Sequence, residues 1–169
     1  MKKVKRILVV GCPGSGKSTF SRALSSFLGI ENCHLDMLFW NADKTYVKKE
    51  VFLERLSREL EKDELIIDGN YDSSMEMRFL WCDTVFFLDL PTEVCLESVR
   101  ARRGKPRDDM PWIETEDDPE FTEYVASFGR AHRPKITELT EKYKKDTVIF
   151  TSRAEVNEYI EKLKKGSQI

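Results

Sequence analysis

The stretch VGCPGSGKST, residues 10–19, constrains this chain more than any other part of its sequence. It follows the apolar run Ile7–Val10, which is short, rich in Ile and Val, and typical of a buried strand. Beyond it, Phe20, Leu24 and Leu28 recur at helical spacing, and Gly29 is a plausible terminator. The pattern therefore predicts a strand that turns through three glycines directly into an amphipathic helix.

Residues Gly11 to Ser18, GCPGSGKS, fit the spacing G-x-x-x-x-G-K-[ST] of a phosphate-binding loop. Glycines let main-chain amides approach phosphate oxygens, and those amides and the helix N-terminus carry partial positive charge. We expect Lys17 to reach the β- and γ-phosphates, Ser18 to offer its hydroxyl to Mg²⁺, and Thr19 to touch the α-phosphate. The residues predicted to bind a nucleoside triphosphate are Gly11, Pro13, Gly14, Ser15, Gly16, Lys17, Ser18 and Thr19.

Length and charge narrow the class of protein further. A chain of 169 residues fits one domain with a full hydrophobic core. The net charge of −2 excludes a generally basic surface for duplex DNA, so a nucleic-acid partner is not expected. Four cysteines without paired metal spacing favour reduced thiols in the cytoplasm. No run approaches the ~20 apolar residues needed to span a bilayer, so no membrane partner is expected.

The remainder of the chain alternates strand and helix patterns, which predicts a parallel sheet covered on both faces, a three-layer α/β/α architecture. One segment breaks the alternation: residues 102–120 contain three prolines and dense charge. Long loops in compact domains are often functional lids, so a lid insertion is predicted at about 104–120 within a single domain spanning 1–169. Strands are predicted at residues 5–10, 32–35, 65–68, 84–88 and 147–150.

Four stretches together resemble the adenylate-kinase-like P-loop kinases: GCPGSGKST, HLD at 34–36, IIDGNY at 66–71 and RARRGKPRDD at 100–109. HLDMLFW and DGNY resemble, more narrowly, the topology modulation proteins. The resemblance extends over nearly the whole chain. It implies a P-loop NTPase fold with strand order 2-3-1-4-5 and a short helical lid after the fourth strand.

The resemblance also implies roles for particular side chains. Asp68 would lie close to the hydrated Mg²⁺, together with Ser18. Asp36 would hold the phosphoryl acceptor and could accept the proton of its hydroxyl. Arginines are expected to stabilise the transferred phosphoryl group and to hold the ligands, because guanidinium groups match phosphate oxygens. The predicted set comprises the catalytic Arg103 and Arg107, the nucleotide-binding Arg100, and Arg78, which would bind the substrate with Asp36 and Asp68.

These features predict an ATP- and Mg²⁺-dependent small-molecule kinase. The acceptor stays open among a nucleoside, a nucleoside monophosphate, and a shikimate-like or sugar-like alcohol. Residues 36–63 lack the Arg-containing helix pattern expected for adenylate kinase, and DGNY replaces its DGFPR-like stretch. The alternatives are a nucleotide-binding regulatory or DNA-associated protein and a nucleic-acid end kinase. A GTPase switch is disfavoured because the chain has no NKxD motif.

Overall fold

Five short segments form the sheet in the computed structural model, which describes residues 5–166. The segments at 6–11, 65–68 and 84–88 are mostly apolar runs because helices cover the sheet on both faces, whereas the segment at 32–34 is NCH and carries two polar side chains. All strands are parallel, in the order β2-β3-β1-β4-β5, which confirms the predicted α/β fold of P-loop NTPases. The strands are β1 Arg6–Gly11, β2 Asn32–His34, β3 Leu65–Asp68, β4 Thr84–Leu88 and β5 Asp146–Phe150.

Helices follow each strand and bury one face against the sheet. They are α1 Lys17–Leu28, α2 Leu35–Phe39, α3 Lys49–Leu60, α4 Asp72–Trp81, α5 Thr92–Arg102, α6 Pro119–Ala131, α7 Arg133–Tyr143 and α8 Arg153–Lys164. The larger core cluster joins β1 and β4 to residues such as Phe20 and Leu24 of α1. A smaller cluster packs Phe52 and Leu56 of α3 against Ile67 of β3.

The helix spacing predicted α1 correctly, including its end at Gly29, whose N–H donates to the Ser25 carbonyl from a left-handed conformation. Phe27 also lies at helical spacing from Phe20 and Leu24, but it is 41% exposed. The spacing of Phe52, Leu56 and Leu60 predicts a helix over about 48–62, and α3 spans Lys49–Leu60. The sequence patterns missed α2, which has only five residues, and α4, in which apolar residues occupy exposed as well as buried positions.

The segment between α5 and α6, here called the 103–118 loop, contains no helix. The expectation that the lid is helical is therefore wrong, because this segment is a loop. Gly104, with φ of 74°, and the two prolines Pro106 and Pro111 account for the difference, because proline removes a backbone donor and disfavours helix in the residue before it. The loop forms part of the wall of the cleft described below.

The predicted domain limits at 1 and 169 lie outside the described residues. Across residues 5–166, no helix is both long and apolar enough to cross a membrane.

Candidate active site

The turn between β1 and α1 is shaped by glycine. Gly14 has φ of +83°, and a Cβ there would lie 2.3 Å from the carbonyl oxygen of Cys95, so a side chain does not fit. The turn is closed by the Ser15 N–H, which donates to the Cys12 carbonyl at 3.0 Å. The Lys17 ammonium donates to the same carbonyl at 3.2 Å. Burial lowers the pKa of Lys17, and the negative charges of Asp68 and Asp36 act in the opposite direction.

Asn70 fixes the start of this turn, a contact that the sequence patterns did not indicate. Its side-chain amide donates to the Gly11 carbonyl at 2.8 Å, and its side-chain oxygen accepts from the Gly11 N–H at 3.2 Å. Such a paired bond imitates a strand pairing, and it ties the segment after β3 to the end of β1. Asn70 of the DGNY stretch therefore stabilises the start of the phosphate-binding turn.

Asp68 ends β3 and is buried beside the turn. Its Oδ1 lies 3.5 Å from the Ser18 hydroxyl, while its Oδ2 accepts from the Ser21 hydroxyl at 2.5 Å and lies 2.6 Å from His34 Nδ1. Burial alone would lower the pKa of His34, but the hydrogen bond and the charge of Asp68 raise it above its ordinary value. The histidine is thus a partner that holds the carboxylate in place.

The predicted metal position was tested against these contacts. A hydroxyl and a carboxylate oxygen are the hard ligands that Mg²⁺ prefers, and Mg²⁺ usually takes one or two protein ligands and keeps several waters. Ser18 and Asp68 fit this pattern. No group of three or more His, Cys, Asp or Glu able to hold a metal occurs in the described part of the chain.

Asp109 brings the 103–118 loop onto the phosphate-binding turn. Its Oδ2 accepts from the Ser18 hydroxyl at 2.8 Å, and Arg107 Nη1 lies 3.7 Å from the same oxygen. Burial alone would raise the pKa of Asp109, but the Arg107 charge and the Ser18 hydrogen bond lower it below its ordinary value. An ionised carboxylate of the loop therefore touches the hydroxyl predicted to bind Mg²⁺.

Asp36 lies on α2, directly after β2, and lines the cleft. The Tyr71 hydroxyl donates to its Oδ1 at 2.5 Å. Burial raises the pKa of Asp36, while the Tyr71 hydrogen bond and the Lys17 charge act to lower it. Tyr71 itself has φ of 41°, a left-handed conformation that few residues other than glycine adopt. A strained residue thus orients the half-buried Asp36 carboxylate beside the phosphate-binding turn.

Two of the predicted arginines line the cleft. Arg107 approaches Asp109 and, through Nη2, Glu114 Oε1 at 3.6 Å, while Arg103 pairs with Asp117. Arg102, which sequence reasoning missed, pairs with Glu114 at 3.1 Å and lines the same cleft. Acidic residues of the loop thus neutralise each of these guanidinium groups.

The other two predicted arginines lie elsewhere. Arg100 is exposed and does not line the cleft, because α5 turns its side chain away from the wall formed by Arg102 and Arg103. Arg78 is fully buried, and its guanidinium donates to the carbonyl oxygens of Gly69 at 2.9 Å, of Asn70 and of Tyr71. Burial lowers the pKa of Arg78 to about 10, so it stays protonated at neutral pH.

Two more residues that belong to no recognised motif line the cleft. Arg22 follows Ser18 by one turn of α1, so its i, i+4 spacing could have predicted that it lies on the same face of the helix as Ser18. Its Nη1 is buried without a hydrogen-bond partner among the described residues. Arg153 begins α8 and donates to the Gly14 carbonyl at 2.8 Å, a contact 139 residues apart that no local pattern predicts.

These parts surround one cleft of about 1250 Å³. It opens at the carboxyl ends of the parallel strands, where ligands bind in open α/β sheets. The phosphate-binding turn, Asp36, Asp68 and the 103–118 loop all contribute to its wall. The arrangement can hold a polyphosphate at one end and a hydroxyl compound at the other, with a carboxylate between them.

The sheet order and the glycine turn define a protein of P-loop NTPase fold with a kinase-like arrangement. The AAA domain family matches residues 7–123, and the chain belongs to that family. No curated protein matches the chain by sequence.

Solved structures of two shikimate kinases have a similar fold. The enzyme from Acinetobacter baumannii, in complex with shikimate, superposes with a TM-score of 0.66 at 17% identity, over 96% of this chain and 92% of that one. The enzyme from Bacteroides thetaiotaomicron gives a TM-score of 0.56 at 18% identity, over 96% and 97% of the two chains. At these identities the likeness defines the fold and leaves the substrate open. The narrower resemblance to topology modulation proteins stays a prediction.

Proposed function

We propose that this chain is an ATP-dependent small-molecule kinase that transfers the γ-phosphoryl group to a hydroxyl of an acceptor held at Asp36. The observation that carries the proposal is the meeting of three groups in one cleft: the phosphate-binding turn with Lys17, the half-buried carboxylate of Asp36, and the arginines of the 103–118 loop. The kinase-like fold agrees with it.

The nucleotide is proposed to bind along the turn from Gly11 to Thr19. The amides of the turn and the Lys17 ammonium would hold the phosphates, and Ser18 and Asp68 would hold Mg²⁺. An ion held there would supply positive charge that offsets the charge of the phosphates. His34 and Ser21 support this role, since they fix Asp68 Oδ2 and leave Oδ1 directed at Ser18.

Asp36 is proposed to orient the acceptor hydroxyl and accept its proton. Its raised pKa brings it nearer to neutral pH, which suits a general base. Arg103 and Arg107 of the loop, as predicted, and Arg102 at the end of α5 would exchange their acidic partners for the equatorial oxygens of the transferred phosphoryl group. Arg100 has no such support, because it is exposed away from the cleft.

Arg78 receives a different role from the one predicted. Its guanidinium is occupied by three backbone carbonyls of residues 69–71 and is buried, so a direct contact with an acceptor has no support. We propose that it positions Asn70 and Tyr71, and through Tyr71 the carboxylate of Asp36.

The test is ADP release by the full chain with Mg·ATP, measured with and without a panel of nucleosides, nucleotides and hydroxy acids. Acceptor-stimulated release that Asp36→Asn reduces by about 100-fold or more supports the proposal. Asp63→Asn is the matched control, since Asp63 is exposed in the turn before β3. Slow hydrolysis that no acceptor stimulates, together with salt-sensitive DNA binding, would instead support the regulatory alternative.

A further inference from the structure

One guanidinium of the cleft is unsatisfied in this structure. Arg22 lies on α1, one turn beyond Ser18, and its side chain lines the cleft. Its Nη1 is buried and has no hydrogen-bond partner within residues 5–166. A buried donor without a partner costs free energy, and the cost is larger when the donor is charged. A ligand that offers an oxygen atom to Arg22 is therefore favoured.

The other arginines that line the cleft each have an oxygen atom of the chain as a neighbour. These pairs are Arg102 with Glu114 at 3.1 Å, Arg107 with Glu114 at 3.6 Å, Arg103 with Asp117, and Arg153 with the Gly14 carbonyl at 2.8 Å. Arg107 Nη2 lacks a hydrogen bond as well, but the proposed function assigns this arginine to the transferred phosphoryl group. Arg22 has no ion pair with any residue that the structure describes, and the proposed transfer gives it no role.

Arg22 lies beside the end of β2, the strand that leads to Asp36. The residue before it on α1, Ser21, accepts from the side-chain amide of Asn32 in β2 at 3.0 Å. Burial lowers the pKa of His34, the last residue of β2, and the positive charge of Arg22 also acts to lower it, although the Asp68 contacts raise it overall. The guanidinium is thus within electrostatic reach of a residue two positions before Asp36.

Aromatic rings form the wall of the cleft around Asp36. Phe39 lies 5.0 Å from Tyr71, whose hydroxyl bonds Asp36, and 5.3 Å from Trp40, measured between ring centroids. Trp112 lies 5.6 Å from Trp40. All four rings line the cleft, and such walls offer a ring of a ligand a large contact area. A cyclic acceptor can therefore pack on these rings with a hydroxyl at Asp36.

The charge of Asp36 means that an anionic group on such an acceptor needs a cation to pair with it. A guanidinium suits this pairing, because it offers two parallel donors to a carboxylate or a phosphate. Lys44 also lines the cleft, but its ammonium is exposed and lies 5.5 Å from the Trp112 ring centroid. Arg22 combines a full charge, a buried donor without a partner and a position beside the strand that leads to Asp36.

From these contacts we infer that the acceptor carries a carboxylate or phosphate group besides the hydroxyl that is phosphorylated, and that Arg22 binds this anionic group. The inference rests on the proposed kinase function, and it favours acceptors with an anionic group over a nucleoside or a neutral sugar-like alcohol. In the reaction, a bond forms between the acceptor hydroxyl oxygen and the γ-phosphorus, the bond from that phosphorus to the β,γ-bridging oxygen breaks, and ADP leaves. The hydroxyl proton passes to the Asp36 carboxylate, and the group on Arg22 is unchanged.

The experiment compares acceptors in matched pairs that differ in charge. The carboxylate arm is a cyclic hydroxy acid and its methyl ester, and the phosphate arm is a cyclic polyol monophosphate and the free polyol. With Mg·ATP and the full chain, the anionic member of one arm is expected to have at least about tenfold higher kcat/KM, and that arm identifies the anion. Equal turnover, or preference for the neutral member, in both arms overturns the inference and leaves the kinase function standing. If ATP binds but no member of either pair is turned over, the proposed function fails and the inference fails with it.

Arg22→Met tests the residue itself, because it removes the charge and keeps an unbranched side chain. The readout is the ratio of kcat/KM for the anionic member to kcat/KM for the neutral member, which is expected to fall by about tenfold or more. Arg22→Gln is a second charge-free variant in case Arg22→Met does not fold. Arg130→Met, on the exposed face of α6, is the matched control, and its ratio is expected to equal that of the unmodified chain.

Two outcomes contradict the assignment of Arg22 to the acceptor. One is a ratio that the charge-free variants leave intact. The other is a KM for ATP that rises as much as the KM for the anionic acceptor, since that result would place Arg22 at the nucleotide.

Discussion

Tyr71 shows how a single residue can join backbone strain to the chemistry of a site. Its left-handed backbone costs about 1–3 kcal/mol, and such strain persists only where the surrounding structure enforces it. The buried carbonyl contacts of Arg78 supply that enforcement, since one of them is to Tyr71 itself. In return, the Tyr71 hydroxyl reaches Asp36.

Replacing Tyr71 by Phe tests this connection through the pH dependence of kcat/KM. The hydrogen bond stabilises the ionised form of Asp36, so its loss raises the pKa of Asp36 further above the ordinary value. If ionised Asp36 is the active form, activity rises through this pKa, and the acidic limb moves to higher pH by about 1 unit. The charges that also act on Asp36, those of Lys17, Asp68 and Asp109, are unchanged in the variant.

Tyr46→Phe is the control for that measurement. Tyr46 is 66% exposed, and its ring stacks on Phe39, a contact that phenylalanine retains. Its acidic limb is expected to match that of the unmodified chain. An acidic limb that stays in place in Tyr71→Phe would remove Tyr71 from the ionisation of Asp36.

Asp109 makes a second prediction at the scale of one residue. Its carboxylate bonds Ser18 at the phosphate-binding turn, so it repels the phosphates of a nucleotide that carries no metal. Asp109→Asn keeps the side-chain shape and removes the charge. Titration of the chain with ATP in the presence of EDTA is expected to give about 3- to 10-fold tighter binding for the variant. Weaker binding would indicate that the carboxylate helps to hold the nucleotide.

At the scale of elements, the loop from β3 into α4 depends on one buried cation. Arg78→Lys retains the charge but cannot reach three carbonyls with a planar fork. The free energy of unfolding is expected to fall by about 2–4 kcal/mol, as for a buried network that loses its partners. Urea denaturation measures this loss, and Arg130→Lys on the exposed face of α6 is the matched control, with a change within about 0.5 kcal/mol. Equal stability of the two variants would mean that Arg78 does not support the loop.

The strands and the phosphate-binding turn were predictable because their signals are local. Buried parallel strands are continuous apolar runs, and the glycine spacing after β1 has a mechanical reason at each position. The prediction that the lid is helical was wrong, and the reason is also local, because the prolines at 106 and 111 oppose helix formation. The pattern also suggested Arg100, which lies two residues before Arg102, and only the turn of α5 decides which of them faces the cleft.

The remaining site contacts were beyond local reasoning because they join distant segments. Asn70 bonds Gly11 across 59 residues, and Asp109 bonds Ser18 across 91. The role we propose for Arg78 differs from the predicted one for a similar reason, because an arginine near a motif has the same sequence pattern whether its side chain faces the cleft or the core. The burial of the Arg78 side chain and its backbone partners decide whether it faces the cleft or the core. Both follow from the packing of the folded chain.

At the scale of the whole molecule, the sheet order brings the exits of β1, β2 and β3 to one edge. The phosphate-binding turn follows β1, Asp36 comes shortly after β2, and Asp68 is the last residue of β3. The 103–118 loop reaches the same edge from the end of α5 and contacts Ser18 through Asp109. A cleft with a phosphate end and an aromatic end therefore follows from topology, and the proposed transfer takes place between those two ends.

The turn from Gly11 to Thr19 is proposed to hold a nucleoside triphosphate for transfer. Calorimetric titration of the full chain with Mg·ATP tests it most directly, with Lys17→Ala and the surface control Lys49→Ala measured alongside. We expect saturable binding at one site, weakened at least about tenfold by Lys17→Ala and unchanged by Lys49→Ala, with the circular dichroism of all three alike. Absence of binding to the folded chain, or full binding by Lys17→Ala, would contradict the claim.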